Sequence, residues 1–221
     1  MIDTLLSYIA PHHCCGCGKI GSLLCDNCKY NISDDRFDSC ILCGGSATPL
    51  GLCGRCKPPF ERGWCVGERT EELKLIIDGY KFERKRAASQ VLGRLLSDRI
   101  GMLPQSTVIV PVPTIAAHIR VRGYDHTLLL ARVVAVHQSL SVSNVLERKT
   151  TTKQRGASRH ERFLQAKVAY GVKHPLDPEL PYLLIDDVVT TGATIHYAAQ
   201  ALRDAGARHV WVGVIARQPL D

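Results

Sequence analysis

Beyond residue 65 the chain has no cysteine, because all ten lie between Cys14 and Cys65. Thiol chemistry is therefore confined to the first third, and the rest must fold without disulfides or thiolate-bound metal. Aromatic residues are scarce, at 6%, which leaves little material for the stacked rings that grip single-stranded nucleic acid. No run approaches the roughly 18–20 apolar residues of a membrane span, so membrane insertion is not expected. Residues 1–10 carry one charge, Asp3, and no basic n-region. No secretion signal is expected, and a cytoplasmic location is. The second part of the chain shows no internal repeat and no low-complexity tract, and no stretch reads as a coiled coil.

The 221 residues are 45% hydrophobic and 22% charged, enough for one ordinary domain plus a small one. The formal charge is +7 and unevenly spread. Residues 1–57 hold five Lys/Arg and five Asp/Glu, while residues 58–221 hold 23 against 16. A basic globular domain suits an anionic partner such as phosphates, nucleotides or nucleic acid, although solubility alone accounts for this charge equally well. The Lys57-Pro58-Pro59 stretch, where the cysteine pattern ends, marks a break. We expect a cysteine-rich domain over 1–57 and an α/β domain over 58–221.

The cysteines form four Cys-x2-Cys pairs: Cys14/Cys17, Cys25/Cys28, Cys40/Cys43 and Cys53/Cys56. Seven residues separate the first two pairs and nine the last two. Each pair puts two thiolates on one side of a knuckle, and two knuckles complete a tetrahedral site for Zn²⁺. Disulfides, free thiols and an iron–sulfur cluster are the competing readings. Sequential pairing predicts one zinc on Cys14, Cys17, Cys25 and Cys28 and a second on Cys40, Cys43, Cys53 and Cys56; a cross-braced arrangement is the alternative. Cys15 and Cys65 fall outside the pattern, and His12 and His13 read as exposed loop residues. Sites filled by four protein sulfurs are structural, and so short a segment needs such a staple.

In the second part, Leu73, Ile76, Ile77 and Tyr80 fall at helical spacing, as do Val91, Leu92, Leu95 and Leu96. Residues 107–111 read as a buried strand. Residues 124–137 read as a helix with Leu128, Leu129, Val133 and Val136 on one side. Strands are expected at 143–146, 182–185 and 209–215, a loop at 150–158, and helices at 159–166 and 194–205, the last ended by Gly206. Strands alternating with helices imply a mostly parallel sheet covered on both faces.

The strand at 182–185 leads into Asp186 and Asp187, then Thr190-Thr191-Gly192-Ala193-Thr194, then a helix. Ligands of parallel sheets bind beyond the carboxyl ends of strands. A Gly/Thr-rich turn entering a helix offers free N–H groups, hydroxyls and the positive end of the helix dipole, which together cradle a phosphate. Two adjacent carboxylates suit the vicinal hydroxyls of a ribose and, directly or through water, Mg²⁺. Adjacent acids at the end of a buried strand are expensive without such a role.

This stretch resembles the signature of type I phosphoribosyltransferases that bind 5-phosphoribosyl-1-pyrophosphate (PRPP). The whole chain resembles the ComF/GntX family, a double zinc ribbon followed by a phosphoribosyltransferase-like domain. The likeness is carried by the four Cys pairs, Ile109-Val110-Pro111-Val112-Pro113, Arg122-Gly123-Tyr124, the 154–162 region and Asp186–Thr194. It implies that Asp186 and Asp187 bind the ribose hydroxyls and that Thr190, Thr191, Gly192, Ala193 and Thr194 bind the 5-phosphate. Pro113 and Thr114 fall in the pyrophosphate loop. Residues 148–167 fall in a flexible flap holding Arg148, Lys149, Lys153, Arg155, Arg159, Arg162 and Lys167, some of which would close over pyrophosphate while a solvated basic loop is the alternative for each. Where family members commonly read Arg-Gly-Phe-Asn-Gln, this chain has Arg122-Gly123-Tyr124-Asp125-His126. By type His126 is a candidate proton shuttle, and a surface or capping role is expected instead. The resemblance implies a PRPP-binding protein of natural competence, handling incoming single-stranded DNA with the competence machinery. The alternative is an active phosphoribosyltransferase, a glycosyltransferase of nucleotide metabolism with an unidentified acceptor.

Overall fold

The computed structural model describes residues 12–149 and 169–219. The expected loop at 150–158, the helix at 159–166, Lys153 and Arg155 lie outside the described residues. The elements are α1 (Asp26–Asp34), β1 (Arg62–Glu68), α2 (Glu71–Phe82), α3 (Ala88–Ile100), β2 (Val108–Pro111), α4 (Ala116–Arg122), α5 (His126–Gln138), β3 (Ser141–Val142), β4 (Leu146–Arg148), β5 (Tyr170–Val172), β6 (Pro181–Val189), α6 (Ala193–Asp204) and β7 (His209–Arg217).

Five strands form one sheet in the order β1-β7-β6-β2-β3, with every neighbouring pair parallel. β4 and β5 make a separate antiparallel pair. Side chains alternate along a strand, and β6 shows it. Leu183 and Ile185 join the core beneath α2, α3 and α5, while Tyr182 and Leu184 join the core beneath α6. The cysteine-rich segment contributes to both cores. Cys14, Leu23, Leu24 and Cys28 pack with Ile76, Ile77 and Tyr80 of α2. Cys40, Ile41 and Leu52 pack with the opposite face. This segment also runs along β1, where the Gly63 N–H donates to the Leu50 carbonyl at 2.9 Å. Gly51 (φ 73°) comes so close that a Cβ on it would lie 1.9 Å from the Gly63 carbonyl oxygen.

Three expectations change. Of the strand expected at 143–146, residues 143–145 are a linker between β3 and the hairpin strand β4, which begins at Leu146. In α5 the buried stripe is Thr127, Leu130, Ala131 and Val134, while Leu128 and Leu129 are half-buried and Val136 is 78% exposed. This helix is apolar on nearly every side, so periodicity does not choose its inner face. Packing does, with Val133 filling the space over Gly93 of α3. Finally, β6 does not end at residue 185 but continues through both aspartates to Val189.

Candidate phosphoribosyl site and cysteine clusters

The extension of β6 creates the site. β2 stops at Pro111, opposite Ile185, and its last link to β6 is the Val112 N–H donating to the Ile185 carbonyl at 2.9 Å. Beyond that point β6 pairs only with β7, through Asp186, Val188 and Val189. On the abandoned side opens a cavity of about 420 Å³, lined by Pro113, Thr114, Asp186, Asp187, Thr190 and Thr194 among others. Thr191, Gly192 and Ala193 complete the turn into α6. Gly192 is the N-cap at φ 77°, and Ala193 N–H meets Thr191 Oγ1 at 3.4 Å. Lys149 is exposed and lines a separate cavity of about 780 Å³. Arg148 does reach the carboxylate cavity, with its guanidinium 5.5 Å over the Tyr170 ring.

Strand alternation gives the two aspartates different surroundings. Asp187 follows Leu183 and Ile185 toward α2 and α5. Its Oδ2 lies 2.8 Å from Lys81 Nζ and 2.6 Å from His126 Nε2, and its Oδ1 accepts from the Val188 N–H at 2.6 Å. Burial alone would raise its pKa. The Lys81 ammonium and the His126 contact outweigh burial and hold the carboxyl well below the usual carboxylate range. Asp186 uses Oδ1 to accept from the Asp187 N–H at 2.9 Å.

Asp125 and His126 take roles that the sequence left open. Asp125 is the N-cap of α5, where its side chain accepts from the Leu128 N–H, and it accepts from Thr114 Oγ1 at 2.8 Å. His126 is neither at the surface nor a cap. It is buried in the first turn of α5, with its backbone carbonyl accepting from the Tyr80 hydroxyl at 2.7 Å. Its Nδ1 lies 2.6 Å from Arg122 Nη1 and 3.1 Å from Thr114 Oγ1. Arg122 Nε donates to the Lys81 carbonyl at 2.7 Å. Lys81 was missed by the sequence reading. A lysine in the last turn of an amphipathic helix reads as a solvated cation, and only the docking of α2 against β6 shows otherwise.

The cysteines gather into the two sequential sets, Cys14/Cys17/Cys25/Cys28 and Cys40/Cys43/Cys53/Cys56, each with all four sulfurs within 4.8 Å of one another. The cross-braced alternative is not what the structure shows. In the first set burial raises the Cys14 thiol, but the backbone N–H groups of Cys17, Cys25 and Gly16 prevail and lower it to about 6. In the second, the N–H groups of Cys56 and Arg55 lower Cys53 to about 6. Cys28 and Cys56 are pushed up, by burial first and then by neighbouring thiols. Four sulfurs converging and competing for protons fit a soft tetrahedral cation such as Zn²⁺. Cys65 stands apart: it is buried, donates to the Gly67 carbonyl, and burial pushes its thiol up to about 12. His12 and His13 are exposed, as expected.

No family model matches the chain. Curated relatives match along most of it. Competence protein F of Haemophilus influenzae is 29% identical over 209 residues, covering 88% of this chain and 90% of its own. DNA utilization protein YhgH of Salmonella typhimurium is 31% identical over the same shares. Competence protein ComFC of Bacillus subtilis is 23% identical, covering 83% of this chain and 79% of its own. Among solved structures, the orotate phosphoribosyltransferase of Aeropyrum pernix aligns with 67% of this chain and 78% of its own at 17% identity and a TM-score of 0.38, a likeness too distant to argue from. The near full-length match to YhgH, together with two four-cysteine clusters and a parallel sheet ending in an Asp-Asp pair and a Thr-Thr-Gly turn, makes this chain a member of the ComF/GntX family.

Proposed function

We propose that the chain binds PRPP together with Mg²⁺ and serves in the cytoplasm in handling incoming single-stranded DNA. One observation carries the PRPP reading: Asp186, Asp187, Thr190, Thr194, Pro113 and Thr114 share a single cavity where β2 leaves β6. The turn at Gly192 would take the 5-phosphate and the two carboxylates the ribose hydroxyls. Arg148 and Arg122 at the same cavity suit the pyrophosphate, whose charge Mg²⁺ would share. The two cysteine clusters would each hold one structural zinc. The DNA role draws on the names of the relatives, competence and DNA utilization proteins, and on the excess of 23 basic over 16 acidic residues after position 57. Competence-machinery proteins are the partners this role requires. Binding is favoured over group transfer because His126, the histidine that touches Asp187, has contacts at both ring nitrogens.

Calorimetric titration with PRPP and Mg²⁺ tests the site. The wild type should bind, and Asp186→Ala combined with Asp187→Ala should not. Absence of binding by the wild type, or equal binding by the double variant, overturns the assignment. Pyrophosphate release with a panel of nucleobases and amines would establish the enzymatic alternative. Oligonucleotide affinity that fails to fall with salt would remove phosphate contacts from the DNA role.

A further inference from the structure

We propose that His126 is a positioning residue for Asp187, held as a neutral imidazole with its proton on Nε2; the inference rests on the PRPP reading of the cavity. The assignment follows from Arg122. A guanidinium only donates and does not lose its proton in proteins. With Arg122 Nη1 at 2.6 Å, His126 Nδ1 must present its lone pair. Thr114 Oγ1, at 3.1 Å from the same nitrogen, gives its one proton to Asp125 Oδ1, so Arg122 sets the state of Nδ1. The ring proton therefore sits on Nε2, which faces Asp187 Oδ2 at 2.6 Å.

The contacts close into a ring. Lys81 Nζ and His126 Nε2 both reach Asp187 Oδ2, Arg122 Nη1 holds His126 Nδ1, and Arg122 Nε returns to the Lys81 carbonyl. Each member is fixed at two points, so the plane of the Asp187 carboxylate is set before a ligand arrives. A hydroxyl ligand gains from a pre-oriented acceptor because no rotamer freedom remains to be lost on binding. Both His126 nitrogens are engaged, so this histidine orients and carries no proton to or from a substrate.

The polarity of the ring defines a test. Glutamine offers the same pattern, an N–H toward Asp187 and a carbonyl oxygen toward Arg122, whereas alanine offers neither. With PRPP and Mg²⁺ in the calorimeter, His126→Gln should bind within about threefold of wild type, while His126→Ala should weaken binding by roughly tenfold or more. Long-range proton–nitrogen correlation spectra of the ligand-free protein should show His126 as the Nε2–H tautomer near neutral pH. A doubly protonated or Nδ1–H ring overturns the proposal, as does wild-type affinity in the alanine variant or a glutamine variant as weak as alanine. Failure of the wild type to bind PRPP, with the Nε2–H tautomer observed, would instead sink the ligand reading and leave the geometry standing.

Discussion

Leu42, inside the third cysteine knuckle, rests against Gly192, the residue that turns β6 into α6: a Cβ on Gly192 would lie 2.6 Å from Leu42 Cδ2. The wall behind the candidate phosphate loop is therefore supplied by the cysteine-rich segment, nearly 150 residues away in sequence. The loop's backbone conformation and its packing both depend on that position carrying no side chain.

Gly192→Ala should thus weaken the protein twice over. The positive φ of 77° costs an L-residue about 1–2 kcal/mol, and the new methyl must push Leu42 aside. Thermal unfolding should shift down by several degrees, and PRPP affinity should fall. Adding Leu42→Ala should recover the packing part of the loss and leave the backbone part. A double variant no better than Gly192→Ala would show that the contact is slack.

Metal analysis of protein purified without chelator should give about two zinc ions per chain, one for each four-sulfur cluster. Cys53→Ser should leave about one. Because Leu42 sits between Cys40 and Cys43, loss of the second ion should also weaken PRPP binding, measured by the same titration. A zinc content near zero in the wild type would contradict the expectation.

Acid should destabilise the protein partly through Asp187. Its pKa is depressed in the folded state, so the stability it contributes is present above the unfolded value near 4 and is lost as pH falls toward the folded value. Denaturant midpoints should drop between about pH 5 and pH 3, and Asp187→Asn should show a shallower drop. Near neutral pH the same variant should be less stable by about 3 kcal/mol, because Lys81 loses its buried partner. An unchanged pH slope in the variant would remove Asp187 from the account.

The features legible in the sequence are those whose chemistry is local. The Cys-x2-Cys spacing dictates knuckles, and Asp-Asp followed by Thr-Thr-Gly dictates acids beside an anion cradle, whatever lies around them. The features that escaped depend on neighbours. β1 (Arg-Gly-Trp-Cys-Val-Gly-Glu) has neither alternation nor an apolar run, and becomes a strand because β7 offers a parallel partner from Arg62 to Glu68. By sequence alone β6 ends at Ile185, because two carboxylates look like the end of a buried strand. The continued pairing of Asp186 through Val189 with β7 carries them inside it. Lys81 and His126 became site residues only when α2 and α5 were packed on the same side of β6.

The close approach of Gly51 to Gly63 has a bearing on solubility. β1 is an outer strand of the sheet, and an outer strand offers unsatisfied N–H and C=O groups to any passing chain. Here the turn that follows the third cysteine pair occupies that edge, taking the Gly63 N–H at the Leu50 carbonyl and leaving no room for a side chain at Gly51. The cysteine-rich segment thus also acts as an edge guard. If its knuckles let go, a strand margin is uncovered along with the core, and self-association becomes a competitor to refolding.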